Sequence, residues 1–551
     1  MDEHRAALAA PARARLLRAL VAFVPLAFLA VFFVYPVARI VGRGLAPDGN
    51  LDLDPLGEVF RDPGLRYVVW FTVWQATLST LLTLAVALPG AYVLTRYSFP
   101  GRRVVRALVT VPFVLPTIVV GTAFTALLGP GGPLASLGLD QTLWAILAAH
   151  LFFNYAVVVR TVGGLWAHLD PHQEEAARVL GASRWRAFTE VTLPALRPAI
   201  ATATAVVFLF TFTSFGVILI LGGPTRGTLE TEIYRQTTQT LNLPLAAALS
   251  IVQLVAVVAL LFCTGWAEGR RATALGLRPA SEVARRARNW RERAVLGANL
   301  AVMAVLVGTP IAVLVARSFD TPGGAGFGFY RALGSVRAGS VLFVPPTDAI
   351  RNSIVSALIA TAIAVTVGGA ACVAAARSRR RILDGLLSVP LGVSAVTLGF
   401  GFLITLDTPP LDLRTSPLLV PIAQALVAIP FVVRIVGPVL RSIDPRLREA
   451  AATLGASPGR VWREVDLPIV ARAAGVAAAF AFAISLGEFG ATTFIARPNR
   501  PTLPVMIFRL LGQPGAQNFG AAMAASTILM VLTVVSVLGI ERFRVGDVGT
   551  F

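Results

Sequence analysis

Hydrophobic runs dominate this chain. Twelve of them are long enough for a helix to cross the roughly 30 Å hydrocarbon core of a bilayer. Six fall near residues 16–41, 67–96, 104–128, 142–166, 195–222 and 245–267, and six more near 293–317, 348–376, 382–406, 417–440, 472–495 and 517–540. The polar stretches between them alternate in character. One set carries arginine, as at Arg96, Arg102 and Arg103, at Arg178, Arg184 and Arg186, at Arg377, Arg379 and Arg380, and at Arg446, Arg448 and Arg460. The other set, such as 44–66, 129–141 and 407–416, is poorer in arginine and richer in Asp, Gly and Pro. Basic loops stay on the cytoplasmic side, which puts both termini and the first set there. The predicted fold is all-α, a polytopic membrane protein of about 12 transmembrane helices. Pro25, Pro112, Pro116 and Pro430 lie inside runs, where neighbouring helices can satisfy the freed backbone. A count of ten follows instead if one Pro-rich segment is re-entrant.

Composition removes other classes. Of 551 residues, 56% are apolar and 14% charged, and the mean hydropathy is +0.74, more apolar surface than one soluble core hides. The net charge is +19 and there is no lysine, so all 48 basic residues are arginine. In a soluble protein that balance points to nucleic acid. Here the arginines sort by loop, so topology accounts for them and no nucleic-acid partner is expected. Cys263 and Cys372 sit in apolar runs and read as small buried residues. His4, His150, His168 and His172 have no metal-ligand spacing. A P-loop needs a lysine, and neither a nucleophile elbow nor a zinc-protease motif is present. No catalytic residue, bound cofactor or metal is expected, and the chain is read as a non-enzyme. The first run lacks a small-residue cleavage site and reads as a retained span.

The chain also repeats itself. Glu175-Ala176-Ala177, Gly181 and Val191-Thr192-Leu193-Pro194 recur 274 residues later as Glu449-Ala450-Ala451, Gly455 and Val465-Asp466-Leu467-Pro468. The same offset pairs Asp170-Pro171 with Asp444-Pro445, Phe215-Gly216 with Phe489-Gly490, Thr228-Leu229 with Thr502-Leu503, and Arg235 with Arg509. Upstream the offset becomes 281, pairing Thr80 with Thr361 and Arg96 with Arg377. Six spans per half make the halves parallel, so both copies of the motif face the cytoplasm. The expected organisation is a first half at 1–267 with its loop at 170–194, a linker at 268–292, and a second half at 293–551 with its loop at 444–468.

Each loop reads as helix, sharp turn, helix. Asp170 and Asp444 are N-cap candidates followed by proline, and Gln173 could close a capping box in the first copy. The first helix should stop at Gly181 or Gly455 in a left-handed C-cap, and Ser183 and Ser457 can cap the next. Pro194 and Pro468 then mark the return into the membrane. Ala176, Ala177, Ala450 and Ala451 permit close approach by a partner, while Val179, Leu180, Leu454, Trp185 and Trp462 offer apolar anchors. Glu175 and Glu449 brace the elbow or touch the partner.

Two such loops resemble the EAA loops of binding-protein-dependent ABC permeases in their fused two-half branch, and the resemblance covers essentially the whole chain. It implies a type I ABC importer permease fold with two pseudo-symmetric halves. It implies that Glu175, Ala176, Ala177, Leu180, Gly181, Glu449, Ala450, Ala451, Leu454 and Gly455 dock on two copies of a cytoplasmic ATPase, which holds the ATP-Mg. Closure of those subunits would move the halves between inward- and outward-facing states. An extracytoplasmic binding protein would deliver the solute, and the location would be the bacterial inner membrane.

Fused permeases of this length resemble two groups, thiamine importers and iron(III) importers. Trp74-Gln75-Ala76, Ala149-His150-Leu151-Phe152-Phe153-Asn154 and Leu486-Gly487-Glu488-Phe489-Gly490 look like the thiamine group, though Glu488 stands where that pattern has Asp; the iron group matches more loosely. Glu488, Ser214, His150 and Asn154 are the pathway candidates. Glu488 at span depth must face a partner, a helix break or a watery path. His150 and Asn154 share a helix face and suit inter-helix hydrogen bonds or ligand contact. Glu230, Glu232 and Arg235 are placed near an extracytoplasmic loop, meeting the binding protein or solvent. An ion-coupled secondary transporter is the competing class; scarce membrane-depth carboxylates and the paired loops speak for the ATP-driven one.

Overall fold

In the computed structural model, residues 21–47, 49–269, 284–336, 342–377, 393–407, 409 and 411–543 are described. The first half contributes α1 (Val21–Leu45), α2 (Pro63–Arg96), α3 (Arg102–Val114), α4 (Thr117–Leu128), α5 (Leu143–Trp166), α6 (Pro171–Val179), α7 (Arg184–Phe212), α8 (Gly216–Leu221), α9 (Leu229–Thr238) and α10 (Leu243–Gly269). The second contributes α11 (Trp290–Phe319), α12 (Pro346–Arg377), α13 (Ala395–Thr405), α14 (Leu419–Ser442), α15 (Pro445–Thr453), α16 (Pro458–Gly487), α17 (Thr492–Ile495), α18 (Leu503–Leu511) and α19 (Ala516–Phe543). Ten helices among the described residues are long and apolar enough to cross a membrane.

Two of the twelve expected spans take another form. The run 104–128 is α3 and α4, bent by 104°. Leu115 and Pro116 form the bend, with extended ψ of 137° and 139°; Leu115 is driven out of the helical region because it precedes a proline. For the run 382–406, residues 382–392 lie outside the described residues and the rest is the short helix α13. Two further runs, 195–222 and 472–495, are not single helices. They break at Thr213–Phe215 and at Glu488–Ala491 before the short helices α8 and α17.

The halves interlock. Helix α1 packs on α10 of its own half and on α13 of the other, while α11 packs on α19 and on α4. The buried faces correspond residue by residue, Pro36, Ile40 and Gly44 against Pro310, Leu314 and Ser318, at the same offset of 274. Small residues line these contacts, with Ala246, Ala247 and Ala248 in α10 and Ala521, Ala522 and Ala524 in α19 buried. Lipid is as apolar as leucine, so close backbone approach rather than hydrophobicity holds such helices together.

The same correspondence governs the caps. Thr72 of α2 accepts the Leu229 N–H at 3.0 Å, and Ser353 of α12 accepts the Leu503 N–H at 2.6 Å. Of the expected linker, residues 270–283 lie outside the described residues. Its end runs beside the C-terminal end of α2, where Ser98 N–H donates to the Arg285 carbonyl at 2.8 Å and Arg285 N–H to the Arg96 carbonyl at 3.0 Å. The Arg285 guanidinium lies 5.5 Å from the Tyr97 ring and pairs with Glu292 at 2.7 Å.

Candidate functional site

The two sequence motifs form two elbows of one design. Asp170 accepts the His172 N–H at 3.0 Å and Asp444 the Arg446 N–H at 2.9 Å, each ahead of a proline in the first turn. The Asp170 bond uses the donor one residue before the one a capping box with Gln173 requires. Gly181 and Gly455 then take φ of +93° and +82°, a left-handed turn that a side chain resists. Ala182 N–H reaches back to the Ala177 carbonyl and Ala456 N–H to the Ala451 carbonyl, both at 3.0 Å. This six-to-one bond is the Schellman closure, which uses carbonyls the helix end leaves orphaned.

Each elbow presents an apolar ridge to solvent. Leu180 and Leu454 are both 88% exposed, and Val179 and Trp185 are exposed beside Leu180. Trp462 differs: it is half-buried against the second half. Glu175, Ala176, Glu449 and Ala450 are exposed and Ala177 and Ala451 half-buried. The Glu175 and Glu449 carboxylates make no hydrogen bond or ion pair among the described residues. The brace is instead one residue earlier. Glu174 accepts from Thr192 at 3.0 Å, and at the same two positions of the repeat Arg448 donates to Asp466 at 2.8 Å. The sequence carries no local sign of this exchange of partners.

The second helix of each elbow does not end at the membrane. It continues as α7 or α16 through a π-turn, Phe188–Thr192 or Trp462–Asp466, that finishes two residues before Pro194 or Pro468. The wider turn relieves the clash between a proline ring and the carbonyl four residues back. The same device precedes Pro36 and Pro310. Thus Pro194 and Pro468 lie inside continuous helices. A helix such as α7, 29 residues long, makes a rod of about 43 Å with the elbow at one end and the membrane break at the other.

At the first break, His150 of α5 ties the bend to α2. Its Nδ1 lies 3.0 Å from the Ser79 hydroxyl of α2 and its Nε2 2.9 Å from the Ser214 hydroxyl. A neutral imidazole has one donor and one acceptor, so both nitrogens are satisfied. Asn154 donates to the His150 carbonyl at 3.0 Å within its own helix, and its side-chain oxygen is buried without a partner. At the second break, Glu488 occupies the position equivalent to Ser214 and turns on its own chain. Its carboxylate accepts from Ala491 N–H at 2.7 Å and Thr492 N–H at 3.0 Å, capping α17. His150 and Ser214 thus come together; Glu488 is across the interface in the other half.

Between the breaks the halves meet through aromatic rings. Phe215 and Phe489 stack with centroids 5.4 Å apart, Phe215 meets Tyr234 at 5.5 Å, and Phe489 meets Phe508 at 5.5 Å. Tyr234 and Phe508 close the ring at 6.4 Å. The four are two pairs related by 274 residues, so the cluster straddles the pseudo-two-fold. A Cβ added at Gly216 would lie 2.6 Å from the Thr117 hydroxyl of α4 and 3.3 Å from the Phe489 ring, so glycine lets the bend sit close against both. Tyr234 and Phe508 escaped the sequence reading although the neighbouring Arg235 and Arg509 were paired in it.

Glu230 and Glu232 are not at a solvated surface. Glu230 is fully buried and accepts from Ser394 of the other half at 2.7 Å and from Gln253 of α10. Glu232, 5% exposed, pairs with Arg235 at 2.7 Å. The geometry brings together two solvent-facing elbows, two rods and one aromatic cluster between the halves.

Comparison with known proteins agrees with that layout. A family model described as a binding-protein-dependent transport system inner membrane component matches residues 80–268 and again residues 360–543. The thiamine transport system permease protein ThiP of Escherichia coli K12 is 27% identical over 525 residues, covering 91% of this chain and 94% of that protein. A probable ABC transporter permease, y4fN of Sinorhizobium fredii, is 26% identical over 546 residues, covering 94% of each. A solved bacterial ABC transporter involved in alginate import aligns with a TM-score of 0.41 at 22% identity, covering 47% of this chain and 97% of that one.

Proposed function

The chain belongs to the family of binding-protein-dependent transport system inner membrane components, present here as two fused copies, and from that premise we propose that it carries thiamine or a related cation inward. It is a multi-pass inner-membrane permease subunit of an ABC importer. In this reading both termini and both elbows face the cytoplasm, two copies of an ATPase seat on the ridges at Leu180 and Leu454, and an extracytoplasmic binding protein loads the solute.

The observation that carries the mechanism is the unbroken rod from elbow to break. An ATPase cleft that grips Ala176, Ala177 and Leu180 moves Ser183 and α7 with it, and α7 ends three residues before Phe215. The second elbow moves Phe489 in the same way through α16. Drawing the rods apart unstacks Phe215 from Phe489 and opens the closure. The rings suit a flat organic cation, because aromatic faces attract positive charge by about 0.5–2 kcal/mol each. Thiamine as solute is supported by the near full-length similarity to thiamine permeases.

The test is uptake of labelled thiamine by vesicles holding this chain with its ATPase and binding protein. Vanadate-sensitive uptake that competes with unlabelled thiamine is expected. Uptake abolished by a protonophore with ATP intact, or labelling of residues 175–190 and 449–464 from outside the cell, would overturn the reading.

A further inference from the structure

A cavity of about 430 Å³ lies at one corner of the second half, lined by Arg351, Arg414, Arg497 and Arg500. Val355, Ile359 and Leu419 give it an apolar wall, and Ser356 and Thr502 also line it. One carboxylate, Asp348, also lines it. Arg414 already pairs with Asp412 at 3.1 Å, and the Arg497 guanidinium donates to the Arg414 carbonyl at 2.8 Å. Arg351 and Arg500 have no ion-pair partner among the described residues, which leaves two guanidinium groups free at the mouth.

The repeat fixes the depth of this cavity. At an offset of 281, Arg351 of α12 corresponds to Trp70 of α2 and Asp348 to Tyr67. Tyr67, Trp70 and Trp74 are exposed, and Trp70 stacks on Trp74 at 6.3 Å. Exposed Trp and Tyr at one end of a membrane helix mark the level of the lipid headgroups. On α12 the same stripe reads Arg351, Val355 and Leu358, all exposed, at spacings of four and three that define one helix face. Arginine therefore stands at headgroup level, above an apolar strip that faces acyl chains.

We propose that this cavity binds the phosphate of an anionic phospholipid, with the headgroup held by Arg351 and Arg500 and an acyl chain running along Val355 and Ile359. Arginine presents a planar fork of donors that matches phosphate oxygens. A free phosphate ester offers the same oxygens but leaves the apolar wall uncovered, which favours the lipid. The site occurs in one half only, since the other half has the aromatic belt at that level. It rests on the membrane reading above but not on the identity of the solute.

The full-length chain, purified in detergent, is incubated with mixed phosphatidylglycerol and phosphatidylcholine, and the retained lipids are counted by native mass spectrometry. Wild type retains phosphatidylglycerol selectively. R351Q/R500Q loses roughly 30-fold in that retention, at about fivefold per arginine beside a charged headgroup, while Arg226→Gln on the first half changes nothing. Val355→Trp, which fills the apolar wall and keeps the charge, also releases the lipid. Inorganic phosphate is the second arm: displacement of the lipid by it at low millimolar levels would assign the site to free phosphate instead. Equal phosphatidylglycerol retention by wild type and R351Q/R500Q overturns the proposal. Vanadate-sensitive uptake measured on the same variant separates the two readings, because loss of lipid with transport intact leaves the permease assignment standing.

Discussion

The elbows and the membrane breaks are both repeated at 274 residues, yet they repeat different things. The elbows repeat a surface: the left-handed glycine, the Schellman closure and an equally exposed leucine recur, while the buried brace beneath changes from Glu174–Thr192 to Arg448–Asp466. The breaks repeat a backbone bend and an aromatic ring, but one is tied to neighbouring helices through His150 and the other to its own chain through Glu488. In the proposed reading, two copies of one partner require the same contact twice, here the leucine and the glycine turn, although Val179 and Trp185 give way to Thr453 and Gly459. A pathway that one asymmetric solute crosses has no such requirement, so its two walls are free to differ in chemistry.

The largest effect tests the elbows. Gly181→Asp with Gly455→Asp puts a side chain into the left-handed turn and a charge on the ridge. Each is expected to remove about 2 kcal/mol of docking, roughly 30-fold, and the pair should abolish uptake while the protein stays in the membrane. Uptake and membrane content measured together decide it. If either single variant were silent and the other not, the elbows would not be equivalent.

The breaks should separate in stability. His150→Ala leaves two buried serine hydroxyls unpaired, one on α2 and one in the break, and opens a cavity, for a loss of about 3 kcal/mol. Glu488→Ala removes one cap from a four-residue helix, for about 1 kcal/mol. Between them comes Arg448→Ala, which strands the buried Asp466 carboxylate at about 2 kcal/mol. Denaturation midpoints in one detergent give the order, and a Glu488→Ala loss exceeding that of His150→Ala would break the distinction between a tethered and a self-capped bend. Smallest is Glu174→Gln, whose amide oxygen still accepts from Thr192; less than about 0.5 kcal/mol is expected at this half-buried site.

Much of this architecture was legible in the chain. Hydropathy gave ten of the spans, and the spacing from Asp170 to Gly181 gave a turn whose φ the structure repeats at Gly455. Those are local or periodic features, and local backbone preference is written in neighbouring residues. What the sequence left open is where apolar helices stop and which faces meet. The run 195–222 looks unbroken because Phe215 is as apolar as its neighbours, whereas in 472–495 Glu488 left a break as one reading among three, and the structure selects it. Glu230 read as a loop residue because its partner Ser394 is 164 positions away. In water, hydrophobicity tells a buried face from an exposed one. In a bilayer lipid and protein interior are equally apolar, so composition sets which segments enter the membrane and tertiary packing alone decides which side chains face one another.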